Sequence, residues 1–597
     1  MYILGISCYY HDSAACLLYQ GKIIAAVQEE RFTRIKNDNS FPSKAIRFCI
    51  NTASISAKEI DHVVFYEKPF LKFERLLETY LAYAPKGFKS FSSSIPIWIR
   101  DKLFQRKNII DSLNKSVSEE KWDNKLLFFE HHLSHASSAF YPSPFERAAV
   151  LTVDAVGEWA TTSMAIGKGN ELDIVKEINF PHSLGLLYSA FTYYAGFEVN
   201  SGEYKLMGLA PYGQPKYVSI IKDKLIDIKS DGSFKLNMDY FDYCTGTKMT
   251  NEKFNKLFGG PPRSPNDKFV EKDMDLAASI QKVLEEVLLK ILKSTSKDTG
   301  EKNLCLAGGV ALNCVANGLI YKENIFEKIW IQPAAGDAGG SIGASLGVWY
   351  KKFKNKRTIK KPDSMQGAYL GPSYSNSEIK SALDSNRASY RVYTDETLYD
   401  FIANSLKNGK TVGWMQGRME FGPRSLGNRS ILADPRNPEM QKNLNLKIKY
   451  RESFRPFAPS VLKEEVSNWF EYKGESAYML YVSKVKSERF INVKGREKKL
   501  TGMDLLKIPR STIPAVTHVD YSARLQTVCK DNNTKYYKLI KKFNELTGVP
   551  ILVNTSFNIR DEPIVCSPND AYRCFMGTEL DLLVIENFVL QKDEQIF

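Results

Sequence analysis

The sequence predicts an α/β protein of two domains, and three observations predict it. A strand–turn–strand unit near the start recurs at 147–177. Two strand–glycine turn–helix units follow one another between 303 and 345. A basic stretch at 353–366, with no apolar pattern, separates these from a new helix–strand pattern. At 597 residues the chain exceeds what one core can organise.

Composition narrows the class. Hydrophobic residues make up 43% and charged residues 25%, as in soluble globular proteins. The apolar runs are short, and MYILGISCYY enters a strand without a basic leader or cleavage site, which predicts a cytoplasmic protein with no membrane partner. The nine cysteines contain no CxxC pair, which excludes zinc fingers and dithiol redox motifs and argues against a disulfide framework. The net charge of +14 fits nucleic acid, an anionic surface or phosphorylated substrates, so its distribution matters.

In chain order, YILGIS, ACLLYQ and KIIAAVQEE read as three strands, with His11 and Asp12 in the first turn. RAAVLTV, TTSMAIG and ELDIVKEI repeat the pattern, with Asp154, Gly157 and Glu158 in the turn. A twice-used unit of this kind predicts a duplicated, actin-like nucleotide-binding fold whose turns point into a cleft. Residues 68–125 read as a mostly helical insertion and 214–272 as a loop-rich one. Apolar residues at 276, 280, 283, 284, 287, 288, 291 and 292 predict an amphipathic helix.

Between the repeats, FFEHHLSHASSAF predicts a short helix over 133–140. On a helix His131 and His135 face the same side and can reach one metal ion, and Asp154, at a strand end, is a natural third ligand. The glycine turn at Gly308 and Gly309 opens a helix, where backbone N–H groups and the helix dipole meet a phosphate. Asn313 lies on that helix. The second turn, at 332–340, carries Gly336 and Asp337.

Beyond the basic break, which divides the chain into 1–352, a linker at 353–366 and 367–597, the segment from Gly417 to Arg455 holds nine Lys or Arg against four acids, a net +5. Its arginines are spaced by glycine, proline and serine, unlike a solvated helix face, and suit a fork-like grip on phosphate oxygens. Its aromatics form no stacking platform for nucleic acid. The strand in PILVNTSFN ends in Asn554, Thr555, Ser556 and Asn558, which suit an amide or a phosphate.

With GISCYYHDSAACLL, EHHLSHASSAFYPSPF, EYKLMGLAPYG, LAGGVALN, GRMEFGPRSLGNRSILADPR, FRPFAPSV, THVDYSARLQTV and NTSFN in view, the chain resembles the O-carbamoyltransferases of antibiotic, nodulation-factor and toxin biosynthesis. The resemblance spans nearly the whole length. It implies an N-terminal domain like the actin-like threonylcarbamoyl-transfer factor of tRNA modification. It also implies a C-terminal domain of YrdC type, which makes carbamoyladenylate from carbamoyl phosphate and ATP, with Mg2+. By that resemblance Arg418, Arg424, Arg429, Lys447, Arg451, Arg455, Arg524, Asn554 and Ser556 hold carbamoyl phosphate and nucleotide, with Lys449 an equal candidate to Lys447. Gly308, Gly309, Asn313 and Gly336 serve a nucleotide in the first domain. His131, His135, Asp154 and Asp337 form the family's metal site, and His11 is its base for a small-molecule alcohol. Fe2+ is the metal the resemblance implies; two imidazoles and two carboxylates also suit Mn2+ or Zn2+.

Rival readings are weaker. A zincin needs Glu directly after the first histidine, where this chain has His132, which reads as structural. A sugar-kinase-like ATPase shares the cleft but has no use for the arginine cluster. A threonylcarbamoyl-type tRNA-modifying enzyme would show steep salt dependence. Hydrogenase-maturation carbamoyltransferases carry zinc-finger cysteine pairs, absent here. His62 reads as surface, His182 as a helix cap or acceptor-pocket wall, and His518 as support in the second domain.

Overall fold

The computed structural model describes residues 1–99, 103–117, 120–492, 500 and 502–595, with backbone alone at 97 and 98. Parts of the first insertion, at 100–102 and 118–119, lie outside the described residues. The chain divides into two units, Met1–Glu29 with Asn37–Ser364, and Glu30–Lys36 with Met365–Phe597.

The first unit contains the predicted duplication. Strands β1 (Tyr2–Ser7), β2 (Ala14–Tyr19), β3 (Lys22–Gln28), β4 (Ile60–Phe65) and β5 (Leu126–Phe128) form one sheet in the order β3-β2-β1-β4-β5. Strands β6 (Arg147–Val153), β7 (Ala160–Lys168) and β8 (Glu171–Asn179) are followed by a small hairpin, β9 (Ile226–Ile228) and β10 (Phe234–Leu236). With β11 (Asn303–Ala307) and β12 (Lys328–Ile331) they give the second sheet, β12-β11-β6-β7-β8. In both sheets the three meander strands are antiparallel, and the first of them pairs parallel with the fourth and the fourth with the fifth. Matching order and polarity make this a duplicated actin-like α/β fold. β1 and β6 are buried almost throughout because they sit at the centre of their sheets, hence their near-continuous apolar sequences.

Helix α1 (His131–Phe140) begins two residues before the predicted start, and every residue of it is buried. Helix α2 (Glu271–Thr299) extends the predicted amphipathic stretch, and all eight predicted apolar positions face the core. Burying each such side chain contributes about 1.5–3 kcal/mol. Helices α3 (Cys314–Glu323) and α4 (Asp337–Gly347) follow the two glycine turns. The first insertion contains helices Pro69–Tyr83, Phe88–Trp98 and Gln105–Ser116.

The stretch expected as a basic linker is anchored at Arg357. Arg357 is buried and donates to the carbonyls of Phe140, Tyr141, Ser143 and Phe145 at 2.7–3.1 Å. One guanidinium satisfying four carbonyls ties the basic run to the first unit, which therefore extends to Ser364 rather than 352.

The second unit is built on a nine-stranded mixed sheet. Its strands are β13 (Arg391–Val392), β14 (Val412–Met415), β15 (Arg429–Ala433), β16 (Ala458–Leu462), β17 (Tyr481–Lys484), β18 (Ser522–Val528), β19 (Ile551–Ser556), β20 (Leu582–Ile585) and β21 (Phe588–Gln591). They lie in the order β13-β21-β20-β14-β15-β19-β16-β18-β17. Helix α5 (Asp395–Lys407) packs against α6 (Thr534–Thr547), and α6 and α7 (Pro568–Met576) pack on this sheet. Among the described residues no helix is long and apolar enough to cross a membrane.

Candidate active site

In the first unit, α4 is unusually rich in small residues, DAGGSIGASLG. A Cβ on Gly343 would collide with the Ser134 carbonyl of α1, so glycine is what lets the two helices approach. That approach carries Asp337, the first residue of α4, to the histidines of α1.

His131, His135, Asp154 and Asp337 are all buried, and one ligand atom from each lies within 4.8 Å of all the others. His131 Nε2 is 3.1 Å from both Asp154 Oδ2 and His135 Nε2. His135 Nε2 is 3.5 Å from Asp337 Oδ1 and 3.6 Å from Asp154 Oδ2. Adjacent ligands held about 2.1 Å from one ion stand roughly 3–3.5 Å apart, so the donor set and its spacing fit a divalent metal. The two carboxylates outweigh the penalty of burial on His135 and raise its pKa to about 10. The same field favours a cation in place of the proton.

Two further groups orient this cluster. Glu158 accepts the His131 N–H at 3.0 Å and the Lys68 N–H at 2.7 Å, fixing the start of α1. Tyr66 donates to Asp337 Oδ2 at 3.3 Å. His132 is excluded: it bonds Ser163 Oγ through Nδ1 at 2.9 Å, and burial pushes its pKa down to about 3. His11, in the β1–β2 turn, faces the cluster, with Nδ1 3.0 Å from Asp12 Oδ2 and Nε2 3.8 Å from Asp337 Oδ2. Burial opposes its charging, but Asp337 and Asp12 outweigh it and raise its pKa to about 9.

The glycine turn, expected to meet a phosphate, is tied to the His/Asp cluster through one of its amides. Gly308 has φ 85°, and a Cβ there would strike the Val153 carbonyl. Gly309 donates its N–H to Asp154 Oδ1 at 3.0 Å, so that amide orients a carboxylate of the cluster instead of facing a phosphate. Asn313 caps α3 by accepting from the Ala316 N–H at 3.0 Å, and it also pairs with Gln281. Gly336, just before α4, borders open space. His182 accepts from the Leu236 N–H at 3.1 Å, while Ser183 is the cap of the following helix. His62 lies within β4.

In the second unit the polar side chains converge on β15, β19, β16 and β18. Asn554 is fully buried; its Nδ2 donates to the Ser425 carbonyl, Ser460 Oγ and Gln526 Oε1 at 2.8–3.3 Å. Its Oδ1 is buried with no hydrogen-bond partner among the described residues. Ser556 projects from the same face of β19, and Arg524 from the same face of β18 as Gln526.

Lys447 and Lys449 differ sharply in position. Lys449 is buried, and its ammonium donates to Ser556 O and Asn558 Oδ1, both at 2.6 Å. Lys447 is exposed and pairs with Glu579 at 3.1 Å, so of the two lysines Lys449 is the one beside Ser556. Burial, with Arg451 and Arg455 adding repulsion, pushes the Lys449 pKa well below its usual value. A buried cation with two arginines close by is a candidate for binding an anion.

Arg429 is not a phosphate grip. It is fully buried and donates to the carbonyls of Gln416, Gly417, Asn428, Pro372 and Cys566 at 2.7–3.4 Å, which makes it the internal frame of the 417–429 loop. Glu420, unnoticed in the sequence, does the same from the acidic side, accepting the N–H groups of Leu426, Asn428 and Arg429 at 2.7–3.2 Å. Arg418 is half-buried and donates to the Gly371 carbonyl at 3.1 Å and to that of Leu370. Arg424 is half-buried on the same loop, one residue before Ser425. Arg451 donates to Asn445 Oδ1 at 2.8 Å, and Arg455 pairs with Glu452 at 2.9 Å.

Comparison with known proteins agrees with both halves of this arrangement. Residues 2–346 match the family model described as carbamoyltransferase N-terminus, and residues 403–592 match carbamoyltransferase C-terminus. An uncharacterized protein of Synechocystis sp. is 58% identical over 602 residues, covering 100% of this chain and 97% of that protein. Nodulation protein NolNO of Sinorhizobium fredii is 36% identical, covering 98% of this chain and 79% of that protein. Nodulation protein NolO of Bradyrhizobium diazoefficiens is 38% identical, covering 77% and 78%. With both family models matched in order around a buried His/Asp cluster and a cationic loop system, the chain belongs to the carbamoyltransferase family and is an enzyme of that class.

Proposed function

We propose that the chain is an ATP-dependent O-carbamoyltransferase acting on a hydroxyl of a small molecule. The second unit, read as YrdC-like, converts carbamoyl phosphate and ATP to carbamoyladenylate, taking up one water and releasing phosphate and pyrophosphate. The first unit transfers the carbamoyl group to the alcohol, giving a carbamate ester, AMP and a proton. The observation that carries the reading is a buried amide acceptor with no partner among the described residues, Asn554 Oδ1, two residues along β19 from Ser556, which Lys449 contacts. A carbamoyl NH2 needs an acceptor and its phosphate needs cations.

Each group has a chemical task. Lys449, Arg451 and Arg455 offset the charge that builds on phosphate oxygens, Arg418, Arg424 and Arg524 add to that field, and Asn554 and Ser556 orient the carbamoyl group. His11 takes the proton of the incoming hydroxyl, with Asp12 fixing the ring. His131, His135, Asp154 and Asp337 would hold the metal, Fe2+ by family likeness, with Mn2+ and Zn2+ also suited. Such an ion would polarise the carbamoyl carbonyl and offset the negative field of Asp154 and Asp337 around His11. ATP enters with Mg2+, and Gly336, where a Cβ would meet nothing within 4 Å, is assigned to a nucleotide in the first unit.

The test of the activation half is exchange of labelled pyrophosphate into ATP. The reading requires exchange that depends on carbamoyl phosphate. Exchange that proceeds equally without it, or not at all, removes the assignment.

A further inference from the structure

Residues Glu30–Lys36 leave the end of β3, in the first unit, yet belong by their contacts to the second. The segment opens with one helical turn, Glu30–Thr33, and then bends through left-handed backbone at Arg34 (φ 63°) and Asn37 (φ 54°). L side chains rarely adopt such dihedrals, and they persist where surroundings over-determine them.

The surroundings here are two loops of the second unit. Arg31 is buried; its Nη1 lies 2.8 Å from Glu30 Oε1, and its Nη2 donates to the Gly422 carbonyl at 2.9 Å. Arg34 uses both prongs of its fork, donating to Ile564 O at 2.7 Å and to Pro563 O at 2.6 Å, with Nε 3.7 Å from Asp570 Oδ1. Phe32, between them, packs against Met419, Ile564 and Cys566.

The placement of these anchors is informative. Gly422 lies between Arg418 and Arg424 on the 417–429 loop. Pro563 and Ile564 lie on the return of the loop that begins at Ser556 and Asn558, and Val565 donates back to Phe557 O at 2.9 Å. Ser567 caps α7, and Asp570 closes the capping box by accepting the Ser567 N–H at 2.9 Å. The strap therefore grips two loops that each carry residues assigned to the cationic site, and it does so through buried or half-buried guanidiniums bonded to backbone carbonyls. Carbonyl anchors set loop position without adding a ligand.

We propose that Arg31 and Arg34 are positioning residues of the phosphate site. They hold the loop of Arg418 and Arg424 against the loop of Ser556 and Asn558 at the separation a carbamoyl phosphate requires. This rests on the reading of the second unit as the carbamoyl phosphate site. The segment that completes that site is thus supplied from among the first 36 residues, continuous with the sheet whose first turn bears His11.

The test uses the full chain. Arg31→Met, Arg34→Met and the milder Arg34→Gln are compared with wild type in three measurements: inorganic phosphate binding by titration calorimetry, KM for carbamoyl phosphate in pyrophosphate exchange, and melting temperature. The proposal predicts phosphate binding and KM both weakened about tenfold or more, with kcat changed less, in variants that remain folded. Arg34→Lys should recover only part of the loss, because an ammonium cannot bridge two adjacent carbonyls as a fork does. A lowered melting temperature with phosphate affinity within about twofold of wild type overturns it, since that is the signature of plain structural support. Should Arg34→Met fail to fold, Arg34→Gln decides by the same criteria. Absence of phosphate binding and of exchange in the wild type defeats the underlying reading and this proposal with it. Wild-type exchange with unaffected variants defeats this proposal alone.

Discussion

His11 Nε2 stands 3.8 Å from Asp337 Oδ2, although the first residue lies in a turn of one sheet and the second opens the helix after the last strand of the other. The duplicated fold brings them together: each half delivers its polar turn to the same place. The transfer chemistry proposed above depends on that meeting.

If His11 removes the acceptor proton, His11→Asn should lower carbamate ester formation about 100-fold or more, since asparagine has no basic nitrogen. Carbamoyl-phosphate-dependent pyrophosphate exchange should stay within about twofold of wild type. Loss of both activities would place His11 in activation instead.

Removal of the metal should separate the same two steps. Dialysis against a chelator, or His135→Ala, should abolish ester formation and leave exchange intact, with metal content by elemental analysis falling from about one per chain to none. Exchange that also vanishes would tie the ion to the second unit's chemistry.

Lys449→Met should stop exchange, whereas Lys447→Met should change it by less than about threefold, because Lys447 is exposed and paired with Glu579. Equal effects of the two substitutions would contradict the placement of Lys449 in the cluster.

Lys449 also predicts a pH dependence. Burial and the neighbouring Arg451 and Arg455 hold its pKa below the ordinary lysine value. A bound phosphate favours the ammonium and raises that pKa, so the complex holds more protons than the free protein. Phosphate affinity should therefore rise as pH falls from the raised pKa of the complex towards the depressed pKa of the free protein, and level off below it, with net proton uptake in that window seen when calorimetry is repeated in buffers of different ionisation enthalpy. The uptake attributable to this group should vanish in Lys449→Met; uptake unchanged there would assign the proton elsewhere.

Gly308→Ala places a Cβ against the Val153 carbonyl at φ 85°. The expected cost is about 2 kcal/mol or more, with weakened metal retention, because the next residue's N–H holds Asp154. A melting temperature within error of wild type would contradict it.

The duplicated sheets were legible because strand–turn–strand patterns are local, and α2 because eight apolar positions follow one helical face. The His131–His135 pair was legible for the same reason, from one helix's spacing. What escaped is long-range hydrogen bonding. Arg357 looks like part of a solvated basic run, and Arg429 like its neighbours Arg418 and Arg424, until the carbonyls around them are seen. Glu158 and Glu420 take backbone amides, which have no residue-specific signature. The strap at Glu30–Lys36 is invisible because two arginines and a phenylalanine on a short turn carry no period that says which unit they join.

The most direct test of the central claim is the fate of the carbonyl carbon. The protein is incubated with carbonyl-labelled carbamoyl phosphate, ATP and a panel of alcohols, and the products are read by mass spectrometry. The account predicts a labelled carbamate ester on an acceptor, with AMP and pyrophosphate released. An acceptor that gains a phosphoryl group with release of ADP, the carbon label remaining in solution, would contradict it.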